Sequence, residues 1–197
     1  MRASLKGAAF ANAASWKPLL DALDVAAREL AGTEDAELAD CTALLDDARL
    51  YTELNLKAAL ATGRSTRPAA APPGTPWDHA TLDTAALQSA LDELNAFPRQ
   101  SEAGVALAVE AKQALAMRTA LKPCDWAVPA SWVSILTALD AVPPDCAELD
   151  EVAASRREVN EVRDSLLAAL KAALASGASK PHASPSTAPA GVRARAR

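Results

Sequence analysis

Hydrophobic residues recur at steps of three and four along most of the chain, the spacing that places side chains on one face of an α-helix. The pattern predicts three units, each made of a first helix (helix A) and a second helix (helix B). The apolar positions of the A helices are Trp16, Leu19, Leu20 and Leu23, then Leu87, Leu91 and Leu94, then Trp132, Ile135, Leu136 and Leu139. Those of the B helices include Leu38, Cys41, Leu45 and Ala48, then Leu107, Ala114, Met117 and Leu121, then Val152, Ser155, Val159 and Val162. The loops between A and B are short, so each pair is predicted to be antiparallel.

Residues that start and stop helices stand at the ends of these stretches. A polar side chain before the first turn accepts hydrogen bonds from its free N–H groups, whereas glycine and proline end a helix. The predicted caps of the A helices are Ser15, Asp83 and Ser131, and the predicted stops are Gly32, Pro98 and Pro143-Pro144. The B helices are predicted to start at Thr33 or Asp35, at Ser101 and at Asp145, and to end at Gly63, before Pro123 and at Gly177.

The units resemble one another in sequence. Residues 14–24 and 130–140 are identical at seven of eleven positions, including the Ala-Leu-Asp triplet that ends both, and a third triplet stands at 90–92. Lys-Ala-Ala-Leu-Ala occurs at 57–61 and again at 171–175. Tandem units in a fixed order with variable loops are typical of stacked supersecondary repeats.

Composition supports helices over strands. The chain of 197 residues is half hydrophobic, but only 4% is aromatic and isoleucine occurs once, at Ile135. Alanine, which favours helix most, supplies much of the hydrophobic half, whereas sheets favour β-branched and aromatic residues. We therefore predict an all-α protein of three antiparallel helical hairpins, stacked as a short solenoid or bundle with disordered tails.

Proline-rich and acid-free stretches divide the chain. Prolines at 68, 72, 73 and 76 cannot continue a helix and indicate an extended linker. The predicted segments are a flexible basic arm (1–14), hairpin 1 (15–63), a Pro-rich linker (64–76), hairpin 2 (77–123), hairpin 3 (124–177) and a disordered basic tail (178–197).

Charge and targeting patterns bear on partners and compartment. The net charge is −5, with the acids in the body and bases at both ends, which disfavours nucleic acid as the main partner. No apolar run reaches the length of a membrane span, so we expect a soluble, cytoplasmic protein. The acid-free first twenty residues, with Arg2 and Lys6, offer a mitochondrial targeting segment as the alternative.

Candidate chemistry is sparse. His79 has no ligand or nucleophile at a useful spacing, and we expect it to be solvated or to cap a helix. Cys41, Cys124 and Cys146 are expected to be small buried residues in a reducing compartment. The acidic clusters lack the central glycine of a calcium loop. We predict no catalytic residue, no cofactor and no metal.

The remaining candidates point to partners. Trp77 and Trp126 border helix ends, where each covers a seam between units or faces a partner protein, whereas Trp16 and Trp132 are expected to anchor the core. Arg193, Arg195 and Arg197 could touch an acidic partner, RNA or anionic lipid. Each unit also carries an arginine, expected to pair with the triplet aspartate or, alternatively, to mark a shared groove: Arg49 with Asp24, Arg118 with Asp92, and Arg163 with Asp140.

The repeated hairpins resemble tandem arrays of the tetratricopeptide and HEAT kind at the level of architecture. The period of about 48 residues exceeds the tetratricopeptide length. The resemblance implies a surface that holds other macromolecules, so we predict a non-enzymatic protein-interaction or scaffold module. The alternatives are a structural subunit of a large organellar or cytoskeletal assembly and, more remotely, an enzyme or small-ligand binder. Homo-oligomers are compatible with the exposed ends of such an array.

Overall fold

The computed structural model describes residues 8, 12–29, 35–64, 79 and 82–177. These contain no β-strand, which confirms the all-α class. The α-helices are α1 (Lys17–Glu29), α2 (Ala36–Ala61), α3 (Ala85–Ala96), α4 (Glu102–Leu121), α5 (Val133–Asp140) and α6 (Asp150–Gly177). Short 3-10 turns stand at Ala13–Trp16, Pro129–Trp132 and Pro144–Cys146. Predictions for Gly32, Thr33, Trp77, the arm before residue 8, most of the linker and the tail lie outside the described residues.

Each helix packs against its neighbours in the chain. Helix α1 contacts α2, α3 contacts α4, and α5 contacts α6, while α2 also contacts α3 and α4, and α4 also contacts α5 and α6. Three apolar clusters follow this order: the first joins α1 to the start of α2, the second joins the end of α2 to α3 and α4, and the third joins the end of α4 to α5 and α6. The solenoid arrangement stays a prediction.

The predicted apolar faces form these clusters almost throughout. Trp16 and Trp132 are both buried, as expected of core anchors. Leu136 is the exception in α5, since its side chain is 43% exposed. Because α5 has only eight residues, Ile135 and Leu139 suffice to fill the side of the helix that meets α4 and α6, and Leu136 faces outward.

Three helix starts agree with the sequence prediction. Asp35 accepts a hydrogen bond from the backbone N–H of Leu38 at the start of α2. Asp83 accepts from the N–H groups of Ala85 and Ala86 at the start of α3. Ser101 accepts from the Gly104 N–H at the start of α4 and donates its own proton to the buried carboxylate of Glu53. This last cap therefore also links α4 to α2.

The serine caps predicted for α1 and α5 are wrong. The chain enters both helices through a 3-10 turn, so each serine already lies inside the turn and its hydroxyl reaches back to a carbonyl. Ser15 donates to the Asn12 carbonyl at 2.6 Å, and Ser131 donates to the carbonyls of Asp125 at 2.7 Å and Val128 at 2.8 Å. The α-helices begin after these turns, at Lys17 and Val133.

The predicted start of the last helix at Asp145 is also wrong. Pro144 opens a 3-10 turn that ends at Cys146, and α6 begins at Asp150. Asp150 and Glu151 occupy the first turn of α6, where negative charge offsets the positive end of the helix dipole.

The predicted end of α2 at Gly63 is confirmed. Thr62 follows the last helical residue, and Gly63 has a φ of +63°, the left-handed conformation that favours glycine. A Cβ atom at this position would lie 2.7 Å from the Cβ of Asp83. The close approach brings the end of α2 to the start of α3.

Candidate partner-binding site

Helix α6 extends beyond the helices and loop against which its first half packs. Its first half buries Val152, Ser155, Val159 and Val162 against α4, α5 and the loop between them. From Arg163 to Ser176, every side chain is exposed with respect to the described residues. At 1.5 Å per residue, this stretch extends about 20 Å beyond the core. We call residues 163–176 the α6 extension.

Four leucines lie along the α6 extension. Leu166, Leu167, Leu170 and Leu174 are exposed to 42%, 47%, 56% and 66%. Their steps of three and four place them on one side of the helix, where Leu166 continues the buried stripe that ends at Val162 and the other three lie beside that stripe. We call these four residues the leucine face. A clustered apolar surface of this kind marks an interaction site more often than scattered exposed residues do.

The composition of the α6 extension supports helix without help from packing. Apart from the leucines, half of its residues are alanine, which has the highest helix propensity. Its charged residues are Arg163, Asp164 and Lys171. Asp164 and Lys171 are seven residues apart, so they share one flank of the leucine face.

A groove adjoins the base of the α6 extension. It lies between α5 and α6, has a volume of about 400 Å³, and has Trp132, Leu136 and Val159 among its lining residues, with Arg156 and Arg163 at its edge. Leu136 and Val133, both exposed, add apolar surface on α5. The apolar surface therefore continues from the leucine face onto the body.

The buried side chain of Arg118 and its hydrogen-bond partners form a polar cluster that holds helices together. Arg118 on α4 has no exposed side-chain surface. Its guanidinium donates to the Leu60 carbonyl at 2.8 Å and to the carbonyls of Ala59 and Asp83 at 3.3 Å. It also donates to Oε1 of Glu151 at 2.9 Å. One side chain thus satisfies the last carbonyls of α2 and joins them to the start of α6.

The predicted pairing of the repeated arginines with the triplet aspartates is wrong. Arg49 pairs with Asp46 on its own helix, Arg118 with Glu151, and Arg163 with its neighbour Asp164. The triplet residue Asp24 pairs instead with Arg99, at 3.1 Å. The arginines occupy different environments because different numbers of helices surround them. Arg118 lies on α4, which packs against four other helices, whereas Arg163 lies where α6 has already left the core.

The prediction for His79 is wrong as well. Its side chain is mostly buried, and Nε2 lies 2.7 Å from Oε1 of Glu158, which is 1% exposed. The ring also makes an edge contact with Trp126, with centroids 5.7 Å apart. A residue that precedes α3 is therefore held against α6 in the third cluster. Sequence spacing could not show this, because the two residues are 79 positions apart.

The sequence-predicted partner residues are only partly described. Trp126 is 6% exposed and packs edge-on against Trp132, with centroids 5.4 Å apart. Of the two alternatives for this residue, its position in the cluster that joins α4 to α5 and α6 favours the seam between units. Trp77, Arg193, Arg195 and Arg197 lie outside the described residues. The leucine face was missed, although the apolar period that continues past Val162 signals it.

The three cysteines are free; Cys41 and Cys146 are buried and Cys124 is half-buried. Burial raises the pKa of the Cys146 thiol, and the nearby Asp145 adds to this effect. Burial also raises the pKa of the Cys124 thiol; a hydrogen bond with Ser131 opposes that shift and the charge of Glu158 adds to it. Both thiols are therefore held in the protonated, unreactive form.

We expect the alkylation of Cys124 and Cys146 to require a higher pH in the folded chain than in urea. A raised pKa in the folded state stabilises the fold below the thiol's ordinary pKa of 9.0, and this contribution is lost as the pH rises above it. Iodoacetamide labelling at several pH values, followed by peptide mass spectrometry, gives the midpoint for each thiol. Identical midpoints in the folded and unfolded chains would contradict the shift, whereas slower labelling with the same midpoint would indicate shielding alone.

The described residues bring together no group of histidine, cysteine and acidic side chains that could hold a metal ion. No helix among them is long and apolar enough to span a bilayer. In comparisons with known proteins, no protein-family model, no curated protein and no solved structure matches the chain.

Proposed function

We propose that the protein is a helical interaction module that binds another protein through the leucine face of α6. The observation that carries this proposal is that Leu166, Leu167, Leu170 and Leu174 are about half exposed on a helix that has already left its own core. Exposing leucines costs free energy relative to burying them, at about 25 cal/mol per Å² of apolar surface. A partner that covers this face recovers that free energy.

The chemistry of the face favours a helix as the docked element. A ridge of leucines at steps of three and four matches the anchor spacing by which one amphipathic helix binds another. Helices that lie on membranes instead carry many lysines or arginines on their polar face. The α6 extension has three charged residues, one of them acidic, so protein is the better match than anionic lipid or nucleic acid.

A photo-crosslinking amino acid in place of Leu170 tests the proposal in cells that express the protein. We expect discrete adducts of protein mass from position 170. The matched control is Val105 on α4, an apolar residue whose side chain is similarly exposed, at 52%. A crosslinker at position 105 should give none of the adducts that position 170 gives. No adduct from position 170, or the same adducts from both positions, would overturn the proposal.

The same experiment separates the scaffold from the alternative of a structural subunit. Adducts that co-sediment with a megadalton particle favour a permanent place in a large assembly. Adducts in small complexes favour an adaptor.

A further inference from the structure

We infer that the partner of the leucine face is a second copy of this chain, with the two α6 extensions packed side by side in antiparallel orientation. The inference rests on the proposed function, because it names the occupant of the same surface. It depends on two features of the α6 extension: the spacing of its leucines and the placement of its charges.

The leucine spacing suits a helix partner of the same kind. Leu167, Leu170 and Leu174 follow one another at steps of three and four, the repeat of the seam in a two-helix coiled coil. Leu166 stands beside this seam on the side away from the charged flank. The seam continues the side of α6 that lines the groove through Arg156, Asn160 and Arg163, whereas Leu166 continues the stripe buried in the body. The second copy would therefore lie in line with this groove.

The charges select the orientation. Asp164 and Lys171 differ by one heptad and so lie on the same flank of the seam. In an antiparallel pair each flank faces the same flank of the other helix, whereas in a parallel pair it faces the opposite one. Only the antiparallel pair therefore brings Asp164 of one copy next to Lys171 of the other. Two-fold symmetry then makes this ion pair twice.

The same register matches the leucines. Leu167 of each copy packs against Leu170 of the other, and Leu174 packs on the aliphatic stem of Arg163. Arg163 lines the groove between α5 and α6, so the end of the second copy arrives at apolar surface of the body. The two bodies then lie at opposite ends of the helix pair.

The paired stretch is short, about 18 Å from Arg163 to Leu174. We therefore expect reversible association, with a dissociation constant on the order of 10–100 μM for the full-length chain. Sedimentation equilibrium of the full chain over a range of concentrations measures it. Leu167→Ala with Leu170→Ala should weaken association by about a hundredfold, because four buried leucines are lost from the symmetric pair.

Charge reversal tests the register. Asp164→Lys and Lys171→Asp should each weaken association by about tenfold, since each places two like charges together at both symmetric sites. The double variant Asp164→Lys/Lys171→Asp should return to within about threefold of the unaltered chain. All these residues are exposed, so the circular-dichroism spectrum and the urea midpoint of the diluted chain should not change.

Two outcomes overturn the inference: a chain that stays monomeric up to about 0.5 mM, well above the expected dissociation constant, or a double variant that associates no better than the single ones. The crosslinker at position 170 separates this failure from that of the proposed function. Adducts whose mass corresponds to another protein would contradict the second copy but would support an interaction module with a different partner. Adducts of twice the chain mass support the second copy, and the absence of adducts contradicts both.

Discussion

Replacing Arg118 with methionine is expected to lower the free energy of unfolding by about 3–5 kcal/mol. Methionine fills much of the same space, so the loss is electrostatic and not a large cavity. Glu151, which is 10% exposed, loses its closest cation, and the carbonyls of Ala59 and Asp83 lose the guanidinium as a donor. The Leu60 carbonyl loses it too but keeps the Nε of Arg64 at 2.9 Å. Buried groups left without a partner cost about 1–3 kcal/mol each. Arg64 remains 3.4 Å from Glu151 and offsets part of its negative charge, so we expect a loss of free energy near the lower end of the range of about 3–5 kcal/mol.

Urea unfolding followed by circular dichroism measures the change. Arg163→Met is the matched control, because Arg163 occupies the similar sequence position in the third unit but is 59% exposed and, among the described residues, forms an ion pair only with its neighbour Asp164. We expect the control to change stability by less than about 0.5 kcal/mol. Equal losses in the two variants would show that Arg118 does not hold α2, α4 and α6 together. Adding Glu151→Leu to Arg118→Met should recover part of the loss, since it removes the carboxylate that has lost its closest cation.

The helices and their buried faces could be predicted from the sequence because both depend on local spacing. Apolar residues at steps of three and four predict a buried stripe wherever a neighbouring helix covers it. Asp35 and Ser101 were identified as caps for the same reason, since each bonds to a backbone N–H three residues ahead. The cap prediction failed at Ser15 and Ser131 because a 3-10 turn precedes each α-helix there. Side-chain preferences do not specify whether the first turn is 3-10 or α-helical.

The candidate site could not be predicted because it depends on relative lengths. The sequence shows that the apolar stripe of α6 continues beyond Val162, but not that α5 spans only Val133–Asp140 and leaves the stripe uncovered. The partners of Arg118 were equally hidden. Similar sequence in two units indicates similar local structure, whereas long-range contacts depend on which helices lie on either side. Arg118 lies between hairpins, and Arg163 lies at the start of the α6 extension.

Replacing Glu158 with alanine is expected to lower the free energy of unfolding by about 3 kcal/mol. Its carboxylate is almost fully buried and lies 2.7 Å from His79 Nε2, so the substitution leaves the imidazole without its partner in an apolar setting beside Trp126. Glu158→Gln can still exchange a hydrogen bond with the ring, so its loss should be smaller, about 1 kcal/mol. Glu148→Ala is the control, because Glu148 is exposed just before α6.

A double-mutant cycle with His79→Ala decides whether the loss comes from this contact. If the pair acts together, the double variant is less destabilised than the sum of the single ones by about 1–3 kcal/mol. Additive losses would mean that each side chain contributes through packing alone. The contact joins the segment before α3 to α6 just upstream of Val159 and Val162. Its coupling energy therefore measures how much this one contact contributes to holding the base of the helix that carries the leucine face.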